Sequence, residues 1–76
     1  MIKLSEIVQA KRKISKVVNK TPFAYAPNLS DEEDATVYLK KENLQLTGAY
    51  KIRGAYNKIA SLNKEERAKG VIAASA

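Results

Sequence analysis

The chain has 76 residues and a mass of 8.4 kDa, which is one small domain or part of one. It contains no cysteine and no histidine, so disulfide frameworks, classical zinc sites and Ser-His or Cys-His catalysis are excluded from this stretch. The net charge of +6 divides into +5 over residues 1–20, −4 in Asp31-Glu32-Glu33-Asp34, +4 over 35–58 and +1 over 59–76, and so forms no single stripe of the kind nucleic acid selects.

The start, Met1-Ile2-Lys3-Leu4-Ser5-Glu6, lacks the apolar stretch of a secretory signal. No later apolar run approaches the roughly 20 residues that cross a bilayer, so a cytoplasmic protein without membrane contact is expected. Ile7, Val8, Ile14, Val17 and Val18 recur at helical spacing and predict a helix from Ser5 to Val18, with Ser5 as its N-cap. Lys11, Arg12, Lys13 and Lys16 suit its later half, where the helix dipole is negative. Asn19-Lys20-Thr21-Pro22 ends it, because a residue before proline resists the α conformation.

Phe23-Ala24-Tyr25-Ala26, between two prolines, predicts a short edge strand. Asn28 to Ala35 reads as a polar connection carrying the acidic run. Thr36-Val37-Tyr38-Leu39-Lys40-Lys41 is β-branched and aromatic, hence a strand, and would pair with 23–26 as an antiparallel ribbon. A loop, Glu42 to Gly48, leads to a second helix over Ala49–Leu62, whose apolar face carries Ile52, Ala55, Tyr56, Ile59 and Leu62. Asn63 with Glu66 three residues on predicts a short capped helix over 63–69, and Gly70 can end it in the left-handed conformation. Val71-Ile72-Ala73-Ala74 reads as a buried strand. Strand, helix, helical turn and strand in that order make a βαβ unit, a parallel pair with a right-handed crossover. The class is therefore α/β, and the chain is expected to be incomplete, since such sheets need more strands and helices on both faces.

Chemistry concentrates in Thr47-Gly48-Ala49-Tyr50-Lys51-Ile52-Arg53-Gly54-Ala55. Lys51 falls in the first turn of the second helix, facing the positive end of the dipole and set among apolar neighbours. Those two conditions favour the unprotonated amine that carbonyl chemistry requires. A lysine in a first helical turn is ordinarily a solvated surface residue, so position alone does not decide between the two. Gly54 costs about 1 kcal/mol against alanine inside a helix, and it makes sense where a ring, a ligand or another backbone packs closely.

The run Lys40-Lys41-Glu42-Asn43-Leu44-Gln45-Leu46-Thr47-Gly48-Ala49-Tyr50-Lys51-Ile52-Arg53-Gly54-Ala55 resembles the lysine signature of the fold-type II pyridoxal-phosphate enzymes. It is most similar to the branch that holds threonine ammonia-lyase (threonine dehydratase) and serine racemase. There the run reads lysine, acidic, asparagine, leucine, glutamine, then threonine-glycine-serine-phenylalanine-lysine-isoleucine-arginine-glycine-alanine. Thr21-Pro22 and Gly70-Val71-Ile72-Ala73-Ala74-Ser75-Ala76 also fall where the family has them, so the resemblance spans about Ile7 to Ala76. Two departures stand out. Ala49-Tyr50 replaces serine-phenylalanine, which removes a local hydroxyl, and the chain stops where the family continues into glycine-asparagine-histidine.

The resemblance implies that residues 1–76 are the N-terminal part of a pyridoxal-phosphate-binding catalytic domain, truncated at the C-terminus: an N-terminal helix, a short antiparallel ribbon and the start of a parallel sheet. It implies that Lys51 forms the internal aldimine with pyridoxal 5'-phosphate and serves in proton transfer. Tyr50 would flank the pyridine ring, Ser75 would open the loop that holds the substrate carboxylate, and Asn43 and Thr47 would shape the loop that places Lys51. No metal is implied. The intact chain would deaminate the small-molecule substrates threonine and serine to 2-oxobutanoate or pyruvate and ammonia, as a homo-oligomer without nucleic acid, and the 76-residue piece alone would be inactive. Three alternatives stay open. One is a serine racemase-like enzyme of the same branch. Another is a small basic nucleic-acid-binding module using the Lys11–Lys20 helix with Tyr25 or Tyr38, which steep salt dependence would reveal. The last is a fragment that joins a larger assembly through its exposed strand edge.

Overall fold

The structure, a computed structural model, describes residues 1–74, in the order α1 (Leu4–Ile14), β1 (Phe23–Tyr25), α2 (Pro27–Glu32), β2 (Tyr38–Lys40), a 3₁₀ turn (Glu42–Leu44), α3 (Lys51–Ala60) and α4 (Lys64–Ala68). The expected Ser5 cap is displaced by one made earlier. Glu6 Oε2 accepts the Lys3 N–H at 2.8 Å while the Lys3 carbonyl accepts the Glu6 N–H at 3.0 Å, which puts Ser5 inside the first turn. The helix also closes sooner than the apolar spacing suggests. Val17 N and Val18 N both donate to the Ile14 carbonyl, at 2.9 and 3.0 Å, and this tightened turn ends α1 before Val18.

The segment read as a polar connection contains a helix. Pro27 opens α2 at its first position, where its missing N–H costs nothing. Ser30 then fastens it: its hydroxyl donates to the Ala26 carbonyl at 2.7 Å and accepts from Val37 N at 2.9 Å, and Ser30 is buried. The ribbon forms as expected. β1 and β2 pair antiparallel in the register Phe23↔Lys40, Ala24↔Leu39 and Tyr25↔Tyr38. Phe23 stacks on Tyr38 with ring centroids 5.2 Å apart, and Tyr25 meets Tyr38 edge-on at 5.6 Å, the diagonal and direct cross-strand pairs of one face.

Residues 71–74, expected as a buried strand, adopt no strand, and Ile72 is fully exposed. A central parallel strand draws its hydrogen bonds from neighbours on both edges and its burial from helices on both faces, and the described residues supply neither. The only sheet among them is the two-stranded ribbon, a piece of an α/β domain. The shape agrees. The radius of gyration is 16.3 Å, where a closed globule of this length would measure about 11 Å. Ile14 is the one buried apolar side chain among the described residues, whereas Thr21, Ser30 and Gln45 are buried and polar.

The cap of α4 follows the sequence closely. Asn63 Oδ1 accepts Glu66 N at 2.8 Å, Glu66 Oε1 accepts Asn63 N at 2.9 Å, and Gly70 ends the element at φ +78. Asn63→Ala should therefore cost about 1 kcal/mol of local stability, read as faster amide exchange at Glu66 and Arg67 with α1 and α3 unaffected.

Candidate functional site

Lys51 is the first residue of α3. The chain reaches it through a turn that needs glycine: Gly48, at φ +74, donates its N–H to the Gln45 carbonyl at 2.8 Å and reverses the backbone after the 3₁₀ turn. Tyr50 stands at the helix N-cap and is 67% exposed, and Lys51 beside it is exposed as well. The desolvation expected around Lys51 is thus not supplied by the described residues; its neighbours Ala49 and Ile52 are only half-buried. Gly54 lies one turn on from Lys51, so the two share a face. A Cβ built at Gly54 meets no atom within 4 Å, so the close packing expected there is not made among the described residues, which leave the face carrying Lys51 and Gly54 open. Ser75, expected to open a substrate loop, lies outside the described residues.

The opposite face of α3 is held tightly, by residues that no sequence motif singles out for such a role. Arg53 grips Glu42 with two donors, Nε to Oε1 and Nη2 to Oε2, the latter at 3.2 Å. Glu42 Oε2 also accepts the Thr21 hydroxyl and, at 3.2 Å, the Gln45 Nε2–H. The Glu42 side chain is 15% exposed. Chiefly through the hydrogen bond from Arg53, and then that from Thr21, its carboxyl is lowered from 4.5 to about 2.

Gln45 ties this cluster to the segment behind it. Its amide donates to the Asn19 carbonyl and accepts the Asn19 N–H, both at 2.8 Å, and Asn19 Nδ2 donates to the Leu44 carbonyl at 3.2 Å. Lys40 Nζ donates to the Thr21 carbonyl at 2.7 Å and Lys41 N to the Pro22 carbonyl at 3.0 Å. The loop before Lys51 is therefore shaped by Glu42 and Gln45. Asn43 is exposed and its side chain makes no hydrogen bond among the described residues, while the Thr47 hydroxyl has only a 3.4 Å contact with the Ala49 carbonyl.

A primary amine, an adjacent ring and an open face at the start of a helix can hold a planar carbonyl compound: the amine as nucleophile, the tyrosine as flank. Comparison with known proteins points the same way. The family described as pyridoxal-phosphate dependent enzymes matches residues 14–76. The L-threonine ammonia-lyase of Thermotoga maritima is 55% identical over 76 residues, covering 100% of this chain and 19% of that protein. The biosynthetic L-threonine dehydratase of Corynebacterium glutamicum is 47% identical over the same 76 residues, covering 17% of its length. The L-threo-3-hydroxyaspartate ammonia-lyase of Saccharomyces cerevisiae is 44% identical over 70 residues, 92% of this chain and 22% of that protein. The chain thus spans about a fifth of the length of the curated relatives it matches. No solved structure matches it significantly.

Proposed function

Because the chain belongs to the pyridoxal-phosphate dependent enzyme family, we propose that it is the N-terminal part of a catalytic domain that releases ammonia from threonine, and from serine by the same chemistry. The relatives' names support this: two act on threonine and a third on a second β-hydroxy amino acid. Threonine would give 2-oxobutanoate and ammonia, and serine would give pyruvate and ammonia. The intact protein would work in the cytoplasm as a homo-oligomer.

The residues present fit pyridoxal 5'-phosphate. Lys51 offers an exposed primary amine that meets no hydrogen-bond acceptor among the described residues, and the Gly54 face beside it leaves room for a ring. Lys51 would hold the cofactor through Nζ, with Tyr50 flanking the pyridine. When bound, the cofactor supplies an electron sink that acidifies the α-proton of the amino-acid substrate. Nζ of Lys51 is the base we assign to that proton, carrying it at the one atom of the described site able to accept it. Ser75 would receive the substrate carboxylate. The described residues provide no set of donors for the cofactor phosphate, so the 76-residue chain by itself should be inactive.

The observation that carries this reading is the position of Lys51, exposed at the head of α3 in a chain 55% identical to an ammonia-lyase. Borohydride reduction of the full-length protein loaded with pyridoxal 5'-phosphate should leave the pyridoxyl label on the Lys51 peptide. Label on another lysine would overturn the assignment.

A further inference from the structure

Arg53 follows Lys51 by two residues, about 200° around the helix, so the two side chains leave α3 on nearly opposite sides. Whatever fixes Arg53 therefore fixes the rotation of α3 about its axis, and with it the direction of Lys51. One carboxylate does this. Glu42 takes both Arg53 donors on α3, the Thr21 hydroxyl from the segment after α1, and the Gln45 amide from its own loop. Gln45 carries the connection on to Asn19 through two bonds of 2.8 Å. Three stretches of chain, 19–22, 42–45 and the head of α3, meet at this one side chain.

We infer that Glu42 is the positioning residue for Lys51: it anchors the back of α3 to the 19–22 segment, so that the helix start presents the Lys51 amine in one direction on the open face. The inference rests on reading Lys51 as the lysine that holds the cofactor. Three features favour positioning over general scaffolding. The joint is made of directional, charge-assisted hydrogen bonds, which fix angles as apolar contacts do not. The Arg53 fork is bidentate, so it resists rotation as well as separation. The other restraint on α3 is its packing against α1, which is apolar and leaves Ile14 the one buried apolar side chain among the described residues, while at the helix head Tyr50 is exposed and Gly54 uncontacted. The carboxyl stays ionised far below neutral pH, so the anchor is closed under all ordinary conditions.

The test uses the full-length protein freed of cofactor and mixed with pyridoxal 5'-phosphate. Borohydride quenching and peptide mapping give the rate of attachment at Lys51, and visible circular dichroism gives the asymmetry of the bound chromophore. Glu42→Gln should slow attachment at Lys51 about tenfold or more and flatten the visible band, since sub-ångström misplacement of a reacting group carries penalties of that order. Arg53→Gln should do the same, and the double variant should be no slower than the slower single, because both remove one joint. Asn63→Ala, which loosens α4 away from the joint, is the control for stability alone and should leave rate and band unchanged. Thr21→Val removes one donor only and should slow attachment about two- to threefold; it keeps the question answerable if Glu42→Gln does not fold. Wild-type rate and band in Glu42→Gln, or in Thr21→Val should the former not fold, would overturn the inference, as would a loss matched by Asn63→Ala. If the wild-type protein takes its label elsewhere than Lys51, the cofactor-lysine reading itself fails, and the assignment of Glu42 goes with it.

Discussion

Lys51→Ala in the full-length protein should abolish the release of ammonia from threonine, lowering kcat/KM by about 10³-fold or more, while the fold is left intact. On the proposed function two roles are lost in one substitution, the covalent hold on the cofactor and the base for the α-proton, and proton transfer alone is worth about 10²–10⁴-fold. In the cofactor-free protein the cost in stability should stay within about 0.5 kcal/mol, the usual limit for a surface position. Lys51 is exposed and engages no acceptor among the described residues, so its removal leaves no orphaned partner behind. Lys51→Arg keeps a cation at the helix start but offers no amine that can release its proton, and should be equally inactive. Added methylamine should restore part of the turnover of the alanine variant, because a free primary amine can take up the proton-accepting role. Turnover within tenfold of wild type in Lys51→Ala would exclude Lys51 from both roles.

How far the sequence foretold the structure depended on the range of each interaction. The α4 cap was legible residue by residue, since Asn63, Glu66 and Gly70 act within one turn of each other. The ribbon was legible from β-branched and aromatic composition between turn signals, and its register follows from pairing Tyr25 with Tyr38. α2 was hidden because the acidic run masks any apolar period, and its deciding feature, Ser30 bonded to both Ala26 and Val37, is a contact between elements. The start of α1 was misplaced by two residues because Ser5 is the better intrinsic cap, yet Glu6 already satisfies Lys3.

The candidate site divides in the same way. Lys51 and Tyr50 were legible because a motif places them, and the structure puts both on the exposed head of α3. The joint beneath them was not. Glu42 reaches Thr21 across 21 positions and Arg53 across 11, and Gln45 reaches Asn19 across 26. Polar side chains brought together over such separations leave no periodicity, and in the sequence they read as an ordinary solvated loop. The one available signal was an acid and a glutamine three residues apart in a loop without proline, with Thr21 and Arg53 as possible donors on either side. Residues 71–74 failed to form a strand for the opposite reason: the local composition was right, but a strand is a property of its partners.

The depressed carboxyl of Glu42 makes that joint measurable without any cofactor. A carboxylate lowered from 4.5 to about 2 adds stability that is fully present above about 4.5 and disappears as pH falls through about 2. In the 76-residue chain with ¹³C-labelled glutamate, the Glu42 carboxyl carbon should therefore titrate near 2. Arg53→Met should return it most of the way to 4.5, because the hydrogen bond from Arg53 is the largest cause of the depression, and Thr21→Val should return it by less. The amides of Gln45 and Gly48 should lose protection over the same acid range, since the Glu42 carboxylate steadies the turn that contains them. A wild-type Glu42 that titrates at 4.5 would mean that the ion pair does not persist in water and that Glu42 does not fix the direction of Lys51. Titration near 2 carries a consequence for the enzyme as well. The joint is then fully ionised from pH 5 upward, so a change of activity around neutrality does not arise in it.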